Sequence, residues 1–263
     1  MAMRAFSTAV TGMRAQQINV DIIANNIANI NTTGFKKVRA AFEDLFYQQL
    51  RRAGTTALES RTTPTGIEVG TGVRLVATPR SFETGSPLET HQPLDLLIDG
   101  EGFFRVQTYD GEIAFTRDGS FGLDSEGNIV SQDGFLLDPG AQIDMTTVAG
   151  IQVTAEGIIQ TIDAAGVVSD VGQVELARFP NPGGLSARGD NLFVETVASG
   201  AETTGTPGTA GFGIIRGGFL EQSNVDVVEE MVSLIRAQRA YDVNSNSIQA
   251  ADEMLQVANN LRR

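Results

Sequence analysis

SNVDVVEEMVSLIRAQRAYDVNSNSIQAADEMLQVANNLRR, residues 223–263, contains neither proline nor glycine. Val227, Leu234, Tyr241, Ile248 and Leu255 recur through it every seventh residue. Three residues beyond each stand Glu230, Ala237, Asn244, Ala251 and Ala258. Apolar residues at this step form one stripe along a helix, and the small residues between them let another helix approach closely. Ser223-Asn224-Val225-Asp226 reads as a capping box that starts the helix. About 38 residues at ~1.5 Å each would span ~57 Å. That is too long for the core of one domain of this size, so part of the stripe must be covered from elsewhere.

The other end of the chain has the same character. Met3, Phe6, Val10, Met13, Val20 and Ile27 fall at three- and four-residue steps between Met1 and Asn31, with Ile23 and Ile30 widening the stripe. Gly12 is the one glycine in that stretch. Gln, Asn and Ala interrupt the stripe and leucine is absent, so a helix here gains little by forming alone. Asn29-Ile30-Asn31-Thr32-Thr33-Gly34 supplies residues that tolerate left-handed backbone angles, which suits a helix stop and a change of direction.

Between Gly34 and Gly218 the pattern changes, and all eight prolines lie there. Phe35, Val38, Phe42, Leu45 and Phe46 form a short apolar face; Arg51 to Gly66 is polar and reads as a long loop; Ile67–Val69 reads as strand. Strands are expected near Val73–Ala77, Leu94–Ile98, Phe103–Gln107, Ile113–Arg117, Ile129–Ser131, Ile151–Val153, Ile158–Ile162, Glu175–Arg178 and Leu192–Glu195. Turn pairs such as Asp110-Gly111, Asp133-Gly134 and Glu156-Gly157 separate them, which points to an antiparallel sandwich or barrel. Gly200–Gly213 is expected to be a mobile loop. The fold class is therefore α+β: paired N- and C-terminal helices (1–31 and 222–263) bracket a mostly antiparallel β domain (76–221), with an extended connecting arm (32–75).

Composition narrows the function. Hydrophobic residues make up 41% of the chain, enough for a real core, and aromatics only 6%, so that core is mainly aliphatic. A net charge of −13 argues against nucleic-acid binding. The charge is uneven: residues 1–61 hold eight Lys/Arg and four Asp/Glu, residues 62–263 eleven and twenty-eight. Such asymmetry favours the basic segment of one copy lying near the acidic body of another. No cysteine is present, which removes disulfides, thiolate metal sites and cysteine nucleophiles. No cleavable leader and no membrane span are expected.

Chemical motifs are weak. His91 is the only histidine, so a two-histidine zinc site is impossible, and Thr90-His91-Gln92-Pro93 gives no support for a Ser-His-Asp arrangement. Asp95, Asp99 and Glu101 cluster in sequence, but they flank a short strand and a Gly-Glu-Gly turn and read as turn residues rather than a glycosidase pair. No Walker A pattern is present, and the only lysines are Lys36 and Lys37. Neither catalysis nor a cofactor nor a metal is expected.

Three sets of residues carry a resemblance. Ala24-Asn25-Asn26-Ile27-Ala28-Asn29-Ile30-Asn31-Thr32-Thr33-Gly34-Phe35-Lys36 resembles the N-terminal signature of bacterial flagellar rod, hook and hook-associated axial proteins. Ser223-Asn224-Val225-Asp226, Glu230-Met231 and Ala237-Gln238-Arg239-Ala240-Tyr241 are similar to the C-terminal signature of that family. Leu94-Asp95-Leu96, Gly100-Glu101-Gly102-Phe103-Phe104 and Thr116-Arg117-Asp118-Gly119 resemble its shared middle. Length and the segment Gly66–Arg74 are most similar to the distal-rod members; Ile27, where leucine is usual, is a mild departure. The resemblance implies a self-polymerising structural subunit of a straight, rigid helical tube in the periplasm. The terminal helices would line an export channel, the arm would bridge subunits, and the tube would transmit torque. Implied partners are copies of itself, other rod proteins, the hook or its junction, the peptidoglycan and outer-membrane ring proteins and the flagellar type III export apparatus, with no nucleic acid. Subunit contacts are expected at Phe6, Val10, Met13, Val20, Asn25, Asn26, Ile27, Asn29, Asn31, Gly34, Phe35, Val227, Met231, Leu234, Tyr241, Ile248 and Leu255. Alternatives remain: within the resembled family, another axial protein of the proximal rod or hook; outside it, a secreted adhesin-type module or a carbohydrate-active enzyme.

Overall fold

The computed structural model describes residues 2–52, 56–57, 61–62, 64–144 and 148–260. Met1, Leu261–Arg263, residues 53–55, 58–60 and 63 of the expected Arg51–Gly66 loop, and the side chains of Met3 and Ala258 lie outside the described residues. The chain divides into two units.

The first unit holds residues 1–27, 38–79 and 226–263. Helix α1 runs Ala2–Ala28 and α2 runs Val227–Asn260. The helix start differs from the expected capping box. Asp226 Oδ1 accepts the N–H groups of Val228 (2.8 Å) and Glu229 (3.0 Å), while Ser223 Oγ is buried without a hydrogen-bond partner. Asp226 directly precedes the first helical residue, so its carboxylate reaches the free donors of the first turn; Ser223 stands too far back to do so. Glu229 and Glu230 add acid to that turn, where the helix dipole favours it.

The arm is also more ordered than expected. Strands β1 (Ala41–Asp44), β2 (Tyr47–Arg51), β3 (Thr56–Ala57), β4 (Arg61–Thr62), β5 (Ile67–Gly70) and β6 (Val73–Ala77) pair as β1 with β6, β2 with β5 and β3 with β4, all antiparallel. The three pairs are nested in sequence, each a two-stranded antiparallel sheet, and are together called the ribbon. β2 and β5 are rich in exposed residues, and the polar stretch after Arg51 shows no apolar alternation in its sequence, so it reads as loop.

The second unit holds residues 28–37 and 80–225. Its strands are β7 (Pro87–Glu89), β8 (Leu96–Asp99), β9 (Phe103–Gln107), β10 (Ile113–Thr116), β11 (Phe121–Leu123), β12 (Ile129–Ser131), β13 (Leu136–Asp138) and β14 (Val148–Val153). They continue as β15 (Ile158–Asp163), β16 (Val168–Gln173), β17 (Leu176–Arg178), β18 (Ser186–Gly189), β19 (Leu192–Val194), β20 (Thr203–Gly205), β21 (Ile214–Gly217) and β22 (Phe219–Glu221). Among the described residues every strand pairing is antiparallel, and a nine-stranded sheet centred on β9 and β10 dominates. β20 pairs with β17 inside Gly200–Gly213, where a mobile loop was expected.

Alternation along β9 divides the core in two. Phe104 and Val106 enter a cluster with Leu96, Ile98, Ile159 and Ile215, all essentially inaccessible. Phe103, one residue out of phase, enters a second cluster with Phe115, Phe179 and Phe193. Phe115 and Phe179 meet edge to face at 4.7 Å, and Phe103 and Phe179 at 5.9 Å. Burying one such phenylalanine contributes about 1.5–3 kcal/mol.

Candidate assembly interface

Two contacts set the relation of α1 to α2. Asn26 Nδ2 donates to Glu230 Oε2 at 3.2 Å. A Cβ placed on Gly12 would lie 3.0 Å from Asn244 Nδ2. Asn26 to Gly12 runs two heptads back along α1, and Glu230 to Asn244 two heptads forward along α2, so the helices are antiparallel and in register. A side chain at position 12 would have to displace Asn244 by a few tenths of an ångström. Buried on the two helices are Ala9, Ala15, Ile23 and Asn26 of α1, and Glu230, Ala237 and Ala251 of α2.

The seam therefore differs from the stripe the sequence emphasised. On α1 it follows Ala9, Gly12, Ile23 and Asn26; Phe6 lies exposed and Val10, Met13, Val20 and Ile27 only half-buried on its flank. On α2 the small and polar line Glu230–Ala237–Asn244–Ala251 faces α1. Val227, Tyr241 and Leu255 stay exposed, and Leu234 and Ile248 are half-buried. The small residues are buried and the larger side chains are left at the edges or exposed.

α2 also carries an apolar face that sequence reading missed. Val228 (71% exposed), Val232 and Ile235 occupy the side away from the seam, Val243 (63% exposed) and Val257 lie between that side and the seam, and Met231 and Met254 lie at the margins. The signal was present: these residues follow three- and four-residue steps of their own at each end of the helix, masked by the stronger seven-residue repeat. A helix apolar on two sides is one meant to be covered on two sides.

The ribbon repeats this theme. Phe46 (92% exposed), Leu50, Ile67 and Val69 are open on β2, β5 and the turn before β2, whereas Gln49 Nε2 donates to Glu68 Oε1 at 2.9 Å. A lone two-stranded ribbon is marginal in water. At its base Leu45 N–H donates to the Gly72 carbonyl (2.8 Å), and Val73 N–H approaches Thr11 Oγ1 of α1 (3.4 Å).

Other expected contact residues are used inside the chain. Asn26 accepts the Val38 N–H through Oδ1 (3.1 Å) and donates to the Val38 carbonyl through Nδ2 (2.9 Å). Gly34 and Phe35 are buried in the second unit, where residues 28–37 form a strap against the β sheet. Gly34 has φ +67°, and a Cβ there would come within 2.6 Å of the Arg117 backbone. Its N–H donates to the Glu221 carbonyl (2.8 Å), and Thr33 Oγ1 donates to Asp118 (2.9 Å). Asn29 accepts from Thr32 Oγ1 at the helix stop, and Asn25 and Asn31 have exposed side chains.

Under the strap lies a charged cluster that the sequence did not reveal. Lys36 Nζ donates to Glu221 Oε1 and to the Glu83 carbonyl (2.7 Å); both charged side chains are 1% exposed. Arg117 Nη1 stands 3.6 Å from Glu221 Oε2, and its Nη2 donates to the Gly100 carbonyl (2.9 Å). Burial pushes both cations below their ordinary pKa values, against the pull of Glu221. Asn224 completes the clasp: it accepts the Lys37 N–H (2.7 Å) and donates to the Ser81 and Glu83 carbonyls.

The chemical candidates are dispersed. His91 sits in a loop at φ +57°, 82% exposed. Glu101 pairs with Arg178 (3.0 Å), Asp99 faces Arg216 (3.9 Å), and Asp95 is bridged to Ser120. Among the described residues, no group of three or more His, Cys, Asp or Glu could hold a metal, and no helix is long and apolar enough to cross a membrane.

The elements just described coincide with three matched sequence families. Residues 6–36, α1 and the strap, match the flagella basal body rod protein family. Residues 97–169 match the flagellar hook protein FlgE/F/G D1 domain, and residues 216–261 match the flagellar basal body rod FlgEFG protein C-terminal family. The flagellar basal-body rod protein FlgG of Borreliella burgdorferi is 49% identical over 263 residues, covering 99% of both chains. FlgG of Caulobacter vibrioides is 47% identical over 262 residues, covering 99% of this chain and 100% of that one. The chain belongs to the flagellar basal-body rod protein family. The flagellar hook protein FlgE of Escherichia coli is a more distant relative, 24% identical over 419 residues. As a rod protein the chain is a structural subunit of the flagellar basal body. The family matches bracket both helices and the strap, the parts that hold the seam and the clasp.

Proposed function

We propose that this rod subunit polymerises through its terminal helices and ribbon into the straight, rigid tube of the distal rod, which encloses an export channel and transmits torque. The observation that carries this is α2, which is covered along one seam and apolar on a further side. The interface includes Phe6, Val10, Met13, Val20, Ile27, Val227, Met231, Leu234, Tyr241, Ile248 and Leu255, with Val228, Val232, Ile235, Val243, Met254 and Val257 added by the structure. Contacts between unlike faces do not close on themselves and so generate a helical filament. The helical parts form the tube wall and the ribbon bridges neighbouring subunits. The β unit faces the peptidoglycan and outer-membrane ring proteins. The tube ends meet other rod proteins and the hook, and the subunit arrives through the flagellar export apparatus. The subunit acts without catalysis: Asp99→Asn with Glu101→Gln leaves assembly unchanged.

Deleting residues 2–28 while keeping the strap tests this reading. The expected result is loss of sedimentable polymer with the thermal transition of the β unit retained. Normal tubes from that truncation, seen by electron microscopy, would refute it.

A further inference from the structure

Within the β unit, the Phe82–Thr84 segment, the Gly100–Gly102 turn and the end of β17 enclose a cavity of about 390 Å³. Phe82, Phe103 and Phe179 line it, with Phe103 edge to face against Phe82 (5.3 Å) and Phe179 (5.9 Å). Arg117 also lines it, although its side chain is only 3% exposed. Its guanidinium carbon stands 5.2 Å from the centre of the Phe103 ring, and Nη2 donates to the Gly100 carbonyl. This cation is incompletely matched. Glu221 Oε1 is taken by Lys36 Nζ and by the Gly85 N–H (2.8 Å), and Arg117 reaches only Oε2 at 3.6 Å, beyond hydrogen-bond length. Arg117 Nε and Nη1 have no hydrogen-bond partner among the described residues. The carboxylates that line the cavity, Glu83 and Glu101, are both exposed, and Glu101 is paired with Arg178. Both Arg117 nitrogens are shielded from solvent, so access needs side-chain rotation at the mouth, where Arg178 and Glu101 are held by an exposed pair.

We infer that this cavity binds a small monocarboxylate with an apolar, ring-sized body, its carboxylate set against Arg117 and its body against the three phenylalanines. The site goes beyond assembly, since it uses no residue of the helices or the ribbon. Three observations support it. A buried cation is stable when paired and hydrogen-bonded, and a planar guanidinium matches a carboxylate in shape and charge. The aromatic walls and the volume are those of a small-molecule site, with one charged group to fix orientation. Glu83 and Glu101 at the lining repel a doubly charged group, which favours a single carboxylate over a phosphate ester.

Titration calorimetry of the dilute full chain with phenylacetate tests the site. Saturable binding is expected with Kd of about 1 mM or tighter. Phenylacetamide, which keeps the ring and the shape but not the charge, should bind at least about tenfold more weakly. Arg117→Gln should weaken phenylacetate by a similar factor while leaving Lys36 and Glu221 matched. Thr84→Trp changes an exposed lining residue outside the charged cluster, so it should close the mouth and abolish binding with the thermal transition unchanged. The proposal is overturned if phenylacetate shows no saturable binding up to about 10 mM, if the amide binds as tightly as the acid, or if folded Thr84→Trp binds as the native chain does. Unchanged affinity in folded Arg117→Gln would overturn it as well. Should Arg117→Gln fail to fold, the amide and Thr84→Trp decide the matter by themselves.

Discussion

Lys36 and Arg117 are two buried cations that share the carboxylate of Glu221, and this arrangement ranks the consequences of losing each group. Replacing Glu221 by Leu leaves two positive charges uncompensated in the interior. Replacing Lys36 by Met leaves Arg117 and Glu221 matched. Breaking a buried pair from one side costs about 3–5 kcal/mol, so Glu221→Leu is expected near or above that range and Lys36→Met clearly below it. Urea unfolding of the two variants checks the order, and the opposite ranking would refute the shared-carboxylate picture. The same lysine carries a pH signature. Burial holds its folded pKa below the ordinary lysine value, so the unfolded chain keeps the proton more strongly than the folded one. Stability attributable to Lys36 therefore rises with pH from the lowered pKa up to the ordinary value of about 10.4 and is flat below that window. Comparing unfolding free energies at pH 8 and pH 10 should show a rise in the native chain that Lys36→Met lacks.

At the scale of elements, the seam between α1 and α2 consists largely of alanine and glycine, which fit many registers equally well. Asn26–Glu230 and Gly12–Asn244 are what distinguish one. Buried polar groups at helix seams fix register in this way. With Cys at positions 12 and 244, one intrachain disulfide is expected. With Asn26→Leu and Glu230→Leu added, cross-links should spread to Cys placed at 237 or 251, one heptad away; persistence of the single bond would show that the pins do not select register. The ribbon makes a separate prediction. Phe46→Ser and Leu50→Ser change surfaces already open, so the single chain should melt within about 0.5 kcal/mol of the native value, while polymer becomes scarcer or more curved in micrographs. Both elements show what was legible in the sequence. The two long helices and most β strands announce themselves through periodicity and Asp-Gly or Glu-Gly turns. Ala237 and Ala251 read from the sequence as points of close helix approach, and both are buried; the heptad alone does not say whether that small line or the larger Val227, Leu234 and Tyr241 faces the partner helix. Within the ribbon, β5 and β6 were expected as strands, while Arg51–Gly66 was read as loop because it is polar and carries no apolar alternation. The clasp was invisible because Lys36, Arg117, Glu221 and Asn224 are brought together only by the tertiary fold.

For the whole molecule, stability is unevenly divided between the two units. The β unit buries Phe104, Val106, Ile159, Leu176 and their neighbours completely, and its strap is tied by the Glu221 cluster. The helical unit buries mainly small side chains: Ala9, Ala15, Ala237 and Ala251 contribute far less apolar area than a phenylalanine core, and Glu230 and Asn26 are polar. Its larger apolar residues lie on open faces, and its ribbon has only two strands. Folding of α1 and α2 should therefore draw much of its free energy from burial against other copies, in the manner of any equilibrium pulled by association. Local stability is expected to follow suit, with the β core opening only near the global limit and the helices opening at much lower cost. Amide hydrogen exchange provides the readout. In dilute single chains, amides of Phe104, Val106 and Ile159 should exchange at least about a hundredfold more slowly than those of Val10, Met13, Leu234 and Ile248, corresponding to roughly 2.7 kcal/mol of local stability. On polymerisation the helical amides should gain protection while the β core changes little. Equal protection of both units in the dilute chain would mean that the small-residue seam suffices by itself, and that ordering of the helices is not linked to assembly.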